Sequence, residues 1–372
     1  MNCPKVSDIV GIINKFAPFA SAEEWDNVGL QVGDPAATAE RIMVALDPGR
    51  EAIDAAVAAG CRLLLVHHPF IFKPLKRISL ADPDGGLIAR AIRSDLAVIS
   101  LHTNLDVANG GVNDFLADLL GVGECAPLRV TAQDELVKLA VFVPKGSEDQ
   151  VLEALFRFSG LIGNYRDCSF RTPGLGTFTP LEGARPHVGS VGKRETVEEN
   201  RIEVLLRRHD LSAAVLALMK AHPYEEPAFD LYPLLNREDV SGLGRIGLLR
   251  EEMSLGDFAL AVKERLGLSG VRLVGDPGRS IRKVALCGGS GASLLRDAWR
   301  QGADLLVTGD IKYHEAREAE TLGVALLDAG HFATEIPMVP GVAAMLRNEL
   351  GSRRFKADVV EFEGERDPFR HV

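Results

Sequence analysis

The fold of this chain is decided by the stretch Leu63-Leu64-Leu65-Val66-His67-His68-Pro69. Four apolar residues without polar alternation are typical of a strand buried on both faces of a parallel sheet. Ligands of open α/β sheets collect just outside the carboxyl ends of the strands. Imidazole is the commonest side-chain ligand for transition metals. The two histidines therefore indicate a metal-binding edge, provided that other ligands reach the same place.

Composition narrows the class of protein. The chain has 372 residues, of which 46% are hydrophobic and 25% charged, as in ordinary globular proteins. Its net charge of -10 argues against a general nucleic-acid binder, which needs a basic face. The five cysteines are scattered without a C-x-x-C pair, which favours a reduced compartment over a disulfide framework. Neither a signal peptide nor a membrane helix is predicted, so we expect a cytoplasmic protein.

Two outer segments alternate strands with helices, which indicates βαβ units and a mainly parallel sheet. In the first segment we predict a helix over 5–19, with Ser7 as its N-cap, and strands at 41–46, 63–66 and 96–101. In the second segment we predict strands at 283–287, 304–308, 324–327 and 358–362. A helix from about 333 to 349 precedes the last of these strands.

Between the outer segments the pattern changes to β-α-β-β-α-β, the order of a ferredoxin-like α+β domain. We therefore expect residues 127–240 to form a compact domain inserted into the first. The remaining residues, 1–126 and 241–372, would form one discontinuous α/β domain of two halves.

The two outer segments also resemble each other. Residues 56–65 align with 298–307, and in that register Asp106 and Glu335 occupy nearly equivalent places after their strands. This favours two similar α/β halves packed face to face with a site between them. Generic α/β patterning is the alternative, because the similarity is short and apolar.

Candidate ligands stand at the predicted strand ends, and they are His67, His68, His102, Asp106, Asp310, His331 and Glu335. On a helix, the four-residue spacing of His331 and Glu335 puts both on one face. Two or three imidazoles with two carboxylates suffice for two metal ions ~3.5–4 Å apart. Such a set suits zinc, iron or manganese better than calcium. His102 and Asp310 are candidates for orienting a ligand or carrying a proton.

Each of these motifs also has a structural interpretation. A single His-His-Pro or His-x-x-x-Glu commonly binds nothing, and only their combination favours metal. The loop 288–291 (Gly-Gly-Ser-Gly) suits either an anion cradle or a tight strand–helix turn. The segment 222–227 (His-Pro-Tyr-Glu-Glu-Pro) suits either a binding edge of the inserted domain or a structured turn.

Five motifs in order carry a resemblance to a known family, and they are Trp25-Asp26-Asn27-Val28-Gly29-Leu30-Gln31, His67-His68-Pro69, His102-Thr103-Asn104-Leu105-Asp106, Thr308-Gly309-Asp310 and Gly330-His331-x-x-x-Glu335. The chain resembles the Nif-three-like dinuclear-metal family, often labelled GTP cyclohydrolase I type 2. The likeness covers about 1–125 and 241–372. The insert is similar to the PII and CutA-type insert of the longer bacterial members.

The resemblance implies that two divalent ions per subunit are bound by His67, His68, Asp106, His331 and Glu335. It also implies hydrolytic opening of the GTP purine ring with formate release, and a hexamer built as a trimer of dimers. Asp310 departs from the glutamate expected at its position. A metal-dependent nucleotide phosphoesterase remains an alternative. So does a non-catalytic metal-binding scaffold or regulator whose insert senses a small ligand.

Overall fold

The computed structural model describes residues 2–160, 162–163 and 165–370, and the chain divides into two compact units. Unit 1 comprises Met1–Ala132 and Ser241–Val372, and unit 2 comprises Gln133–Val240. The predicted mixed α/β class is confirmed, with parallel strands in both sheets of unit 1. Within the described ranges, no helix has the length and apolar character needed to cross a membrane.

The elements follow one another in a regular order along the chain. The strands are β1 (Gly29–Val32), β2 (Arg41–Ala45), β3 (Leu63–Val66), β4 (Ala97–Ser100), β5 (Val122–Pro144), β6 (Ser169–Phe178), β7 (Glu195–Arg207), β8 (Phe229–Ser254), β9 (Arg272–Val274), β10 (Ser280–Leu286), β11 (Leu305–Thr308), β12 (Ala325–Asp328) and β13 (Asp358–Glu361). The helices are α1 (Val6–Phe16), α2 (Arg50–Ala58), α3 (Pro83–Arg93), α4 (Thr103–Val107), α5 (Val112–Leu120), α6 (Glu148–Leu155), α7 (Leu211–Ala221), α8 (Leu255–Arg265), α9 (Leu295–Arg300), α10 (Tyr313–Leu322), α11 (His331–Glu335) and α12 (Met338–Ser352).

The first sheet of unit 1 has the order β1-β4-β3-β2-β13. Strands β2, β3, β4 and β13 run parallel, and β1 is antiparallel to β4. Both faces of β3 are buried: Leu63 and Leu65 face one apolar cluster, and Leu64 and Val66 face another. Burial of one such side chain contributes roughly 1.5–3 kcal/mol. Packing on both faces explains why this strand shows no polar alternation.

The second sheet of unit 1 repeats this plan. Strands β10, β11 and β12 are parallel and adjacent, with antiparallel β8 and β9 beside them. Leu305 and Val307 of β11 face a cluster that includes Phe258 of α8, while Leu306 faces a cluster that includes Ala298 of α9. The polar residues that follow β11 and β12 are therefore delivered to the carboxyl edge of this sheet.

Unit 2 contains, in chain order, the second part of β5, then α6, β6, β7 and α7, and the first part of β8. Strand β7 pairs antiparallel with both β5 and β6. Phe142 N–H donates to the carbonyl of Ala228, just before β8 begins. One apolar cluster joins α6 and α7 to the sheet, with Leu139, Leu152 and Leu218 among its buried members.

Two local predictions in the outer segments are wrong. The N-cap of α1 is Lys5, whose backbone N–H donates to the Asp8 carboxylate, so Ser7 lies within the first turn. The helix predicted over 333–349 is instead two helices, α11 and α12, separated at Ile336 and Pro337. Proline lacks the N–H that a continuous helix requires, which explains the break.

Candidate metal centre

The chain bends sharply after β3, and this bend positions the first two histidines. The backbone N–H groups of His67 and His68 both donate to the carbonyl of Leu46. His67 is fully buried, and its Nδ1 lies 2.7 Å from the carbonyl oxygen of Leu101. His68 is partly exposed, with its Nδ1 2.7 Å from Asp47 Oδ1.

The second half of unit 1 contributes a short helix. Gly330 has a φ of 81°, a backbone conformation that suits glycine, and it leads into α11. His331 and Glu335 lie one helical turn apart, and His331 Nε2 is 3.0 Å from Glu335 Oε2. His331 Nδ1 lies 2.7 Å from Asp310 Oδ2. The predicted pairing of His331 with Glu335 on one helix face is present in the structure.

The side chains from the two halves meet around Glu335. Its Oε2 is 3.1 Å from His68 Nε2, and its Oε1 is 3.7 Å from His67 Nε2. Asp106 Oδ1 also lies 3.7 Å from His67 Nε2. The five residues predicted as ligands therefore form one cluster within unit 1.

Two groups of side chains, drawn from this cluster and the neighbouring His102, could each hold a metal ion. One comprises His67, His68 and His102, and the other comprises His68, His331 and Glu335. Within each group the possible ligand atoms lie within 4.8 Å of one another. The structure therefore places His102 among the possible ligands, whereas the sequence predicted that it orients a ligand or carries a proton.

The three imidazoles of the cluster and that of the neighbouring His102 share one arrangement, in which Nδ1 faces an oxygen acceptor. The acceptors are Leu101 O for His67, Asp47 Oδ1 for His68, Asp26 Oδ1 for His102 and Asp310 Oδ2 for His331, at 2.7, 2.7, 2.9 and 2.7 Å. Since these oxygens accept, Nδ1 carries the proton. When an imidazole is neutral, its lone pair is then on Nε2. Metal-binding histidines are typically oriented in this way.

One buried atom at the centre, His67 Nε2, lacks a hydrogen-bond partner among the described residues. Buried polar atoms are normally paired, because an unpaired one costs roughly 1–3 kcal/mol. A metal ion bound at His67 Nε2 would satisfy it. The donor set of imidazole nitrogens and carboxylate oxygens also suits such an ion.

The cluster perturbs its own protonation equilibria. Burial lowers the pKa of His68, but hydrogen bonds to Asp47 and Glu335 raise it overall to about 10. The hydrogen bond to Glu335, against burial, raises the pKa of His331 to about 9. Burial raises the pKa of Asp106 to about 6. Despite burial, the neighbouring His67 and the hydrogen bond from His331 hold the pKa of Glu335 well below its ordinary value.

Asp26 is a supporting residue whose role the sequence did not specify. Its buried carboxylate accepts from Thr103 N–H and lies beside His102 Nδ1. Burial raises the pKa of Asp26, but the hydrogen bonds from His102 and Thr103 lower it overall to about 2. The motif that begins at Trp25 therefore anchors an imidazole of the cluster.

Asp47 was also missed, although the rule that found the other residues applies to it. It stands two residues beyond β2, at the same carboxyl edge as His68. Asp310 supports its imidazole in the same manner, from a backbone with a φ of 57°. These contacts favour an orienting role for Asp310.

The glycine loop after β10 has a role of its own. A Cβ on Gly289 would overlap Glu335 Oε1. The loop N–H groups of Gly288, Gly289 and Gly291 donate to the side chains of Asn113, Thr334 and Thr308, respectively. The loop therefore makes room for the carboxylate of Glu335. Three of the four N–H groups of the loop are already occupied, which disfavours the anion-cradle interpretation.

A cavity of about 750 Å³ opens beside His68 and His331. Phe332 and Phe369 line it, together with acidic and basic side chains that include Asp367 and Arg370. Ligand pockets typically measure about 300–1,000 Å³. The candidate centre is therefore accessible to a small molecule.

Comparison with known proteins defines the class. Residues 4–368 match the family model Duf34/NIF3 (NGG1p interacting factor 3), and the chain belongs to this family. A Bacillus subtilis protein called "GTP cyclohydrolase 1 type 2 homolog" is 43% identical over 362 residues, which cover 97% of each chain. A Halalkalibacterium halodurans protein of the same name is 41% identical over 365 residues, covering 98% of each.

Solved structures agree with this assignment. A Bacillus cereus protein described as related to NIF3 superposes with a TM-score of 0.92 at 39% identity, covering 100% of both chains. A Staphylococcus aureus protein superposes with a TM-score of 0.81 at 31% identity, again over 100% of both chains. The resemblance drawn from the five motifs is confirmed.

Proposed function

We propose that this chain is a metal-dependent hydrolase with two divalent ions, acting on a nucleotide such as GTP. The ions would be held by the side chains of His67, His68, Asp106, His331 and Glu335. The nitrogen and oxygen donors suit zinc, iron or manganese. The names of the curated relatives support the nucleotide substrate.

The shared orientation of the four imidazoles is the observation that carries this proposal. Ordinary surface histidines have no reason to fix Nδ1 on an acceptor and direct Nε2 toward one carboxylate. Here His67, His68 and His331 all place Nε2 within 3.7 Å of a Glu335 oxygen. Glu335 would therefore contribute to both ions.

When bound, a pair of divalent ions supplies Lewis-acid activation of water and substrate. The neighbouring residues would transfer protons and orient the ligands. Asp26 holds His102 in one orientation, so His102 is the proposed proton carrier next to the ligands. Asp310 holds the proton on His331 Nδ1 and thereby keeps the Nε2 lone pair directed inward.

The cavity beside the centre would receive the substrate. Phe332 and Phe369 provide apolar surface for a heteroaromatic ring, and Arg370 provides a cation for a phosphate group. We also propose that the chain assembles as a hexamer, a trimer of dimers. Light scattering on the purified chain tests that assembly.

The function is tested by turnover. Purified chain is loaded with zinc, manganese or iron, offered GTP and a panel of nucleotides, and assayed for formate and for phosphate. We expect formate from GTP, abolished in His68→Ala and retained in His314→Ala, because His314 is an exposed histidine outside the cluster. Phosphate without formate would instead identify a phosphoesterase. No product with any metal would overturn the hydrolase proposal.

A further inference from the structure

Unit 2 contains a cavity of about 590 Å³ that the proposed hydrolase does not use. Its walls are the exposed edge strand β6, residues of the loop that follows β6, two residues of β7 and the turn 224–226. All of these residues lie within Gln133–Val240. The volume is typical of small-molecule sites.

The turn at 222–227 is built to present Tyr224 to this cavity. His222 is buried; its Nε2 lies 3.0 Å from the carbonyl of Phe142, and its Nδ1 accepts from Tyr224 N–H at 3.1 Å. Burial lowers the pKa of His222, which keeps the ring neutral in this double role. His222 therefore fixes the turn, and Tyr224 and Glu225 line the cavity.

Aromatic rings form one side of the cavity. The rings of Phe178 and His187 lie 5.9 and 6.1 Å from the ring of Tyr224, measured between centroids. Phe142 is a further lining residue. Clustered aromatic faces of this kind attract organic cations, because the ring quadrupole is negative above its plane.

A carboxylate stands next to these rings. The hydroxyl of Tyr224 donates to Glu199 Oε1 at 3.0 Å. A Cβ on Gly176 of β6 would overlap Glu199 Oε2, so glycine at this position leaves the space that the carboxylate fills. The hydrogen bond from Tyr224 thus holds Glu199 in the cavity, and the absence of a side chain on Gly176 leaves room for it.

The charge balance of the lining is negative. Glu199, Glu225 and Glu226 contribute three carboxylates, against the single guanidinium of Arg201. That guanidinium is paired with Glu203 at 3.1 Å. An anionic ligand would meet this surplus of negative charge, whereas a cation would neutralise part of it.

We propose that this cavity binds a small organic cation, with its ammonium group at Glu199 and its alkyl groups against Tyr224 and Phe178. The combination of aromatic faces and a fixed carboxylate is the chemistry that recognises alkylated ammonium compounds. The site is separate from the candidate metal centre and does not depend on the hydrolase proposal. The inserted unit would thus be a binding domain for amines.

The test compares two probes of one shape. Choline and 3,3-dimethylbutan-1-ol differ in charge, since a neutral carbon replaces the ammonium nitrogen. We expect calorimetry on the full chain to show choline binding at least about tenfold more tightly than the neutral probe. Trimethyllysine and spermidine extend the cation series, and GTP serves as the anion.

Three variants localise the binding. Glu199→Gln keeps the shape and removes the charge, so choline affinity should fall at least about tenfold. Phe178→Leu keeps the site apolar and removes a ring, and should weaken choline several-fold. The matched control is Glu198→Gln, because Glu198 is exposed, pairs with Lys145 and does not line the cavity.

Several outcomes would overturn the proposal. Equal affinity for choline and the neutral probe would show that the positive charge is not recognised. Unchanged choline binding in Glu199→Gln would show that the ammonium group does not bind at Glu199. Absence of heat with choline, trimethyllysine and spermidine at millimolar concentration would also refute it. If Glu199→Gln fails to fold, Tyr224→Phe is tested instead. This substitution removes the hydroxyl that holds Glu199 and keeps the aromatic ring.

Discussion

The two halves of unit 1 present different residues at the same topological positions. At the end of β3 stand His67 and His68, whereas the end of β11 carries Gly309 and Asp310. After β4, the short helix α4 carries Asp106, whereas after β12 the short helix α11 carries both His331 and Glu335. The shared plan thus delivers imidazoles from the strand end in one half and from the helix in the other.

The reason for the difference is steric. A Cβ on Gly309 would lie 2.6 Å from His331 N, so the backbone of α11 occupies the space that a larger residue would need. The second half therefore brings its helix close to the strand end and uses Asp310 to hold the imidazole. One architecture accommodates two arrangements because the candidate ligands lie beyond the strands, in the loops and short helices that follow them.

The largest expected effect comes from a residue that joins the two sequence segments. Arg245 is buried and donates to both Asp114 oxygens, at 2.8 and 2.7 Å, and to the carbonyl of Ala108. Arg245→Met should cost about 3–5 kcal/mol, because it removes the charged partner of Asp114 and the guanidinium that donates to the carbonyl of Ala108. Urea unfolding measures this. Arg282→Met, at an exposed position, is the control, and a cost below ~1 kcal/mol for Arg245→Met would contradict the expectation.

The next effect tests whether both halves rely on one carboxylate. Glu335→Gln retains volume and removes the charge that faces three imidazoles, so metal affinity should fall more than about 100-fold. Metal titration followed by elemental analysis measures the loss. Glu264→Gln, on the exposed side of α8, should leave affinity unchanged. Full retention of metal in Glu335→Gln would show that the Glu335 carboxylate is not a ligand shared by the two halves.

A third change makes the second half sterically more like the first. Gly309→Ala introduces the clash with His331 N and should cost about 1–3 kcal/mol, with weaker metal binding. Thermal unfolding of the metal-free protein gives the cost. Gly351→Ala is the matched control, since a Cβ there meets nothing within 4 Å. Equal stability of the two variants would refute the steric argument.

The smallest expected effect is the release of protons from His68 and His331 when metal binds. The pKa values of about 10 for His68 and about 9 for His331 mean that both rings are protonated at pH 7 in the metal-free protein. Metal binding should then release about two protons, and affinity should rise with pH until these groups have titrated. Calorimetry in buffers of different ionisation enthalpy counts them.

Asp47→Asn and Asp310→Asn sharpen the comparison of the halves. Each removes one charge that raises the pKa of its imidazole, so fewer protons should be released. Asparagine also tolerates the left-handed backbone at position 310. Proton release unaffected by either change would show that these carboxylates do not control the rings.

Much of the fold and the clustering of the candidate residues could be predicted from sequence, because strand ends in a parallel sheet share one edge. That rule found the seven candidate residues, and the structure brings His102 and Asp310 next to the cluster of the other five. It was not applied to Asp47, which follows β2 at the same edge. Asp26 could not be found this way, because its partner His102 is 76 residues away and only the fold brings them together.

Helix ends were predicted less well, for two separate reasons. Ser7 had the right residue type for an N-cap, but the hydrogen bond between Lys5 N–H and Asp8 set the start two residues earlier. The break between α11 and α12 was readable from Pro337, and the regular apolar spacing concealed it. Local chemistry outweighed periodicity at both places.

Anomalous diffraction from crystals of the zinc-loaded chain tests the central claim most directly. The account predicts two peaks ~3.5–4 Å apart, each within about 2.0–2.2 Å of imidazole Nε2 or carboxylate oxygen atoms of the five proposed ligands. A single peak within bonding distance of imidazole Nδ1 atoms, or no peak within bonding distance of Glu335, would contradict this prediction.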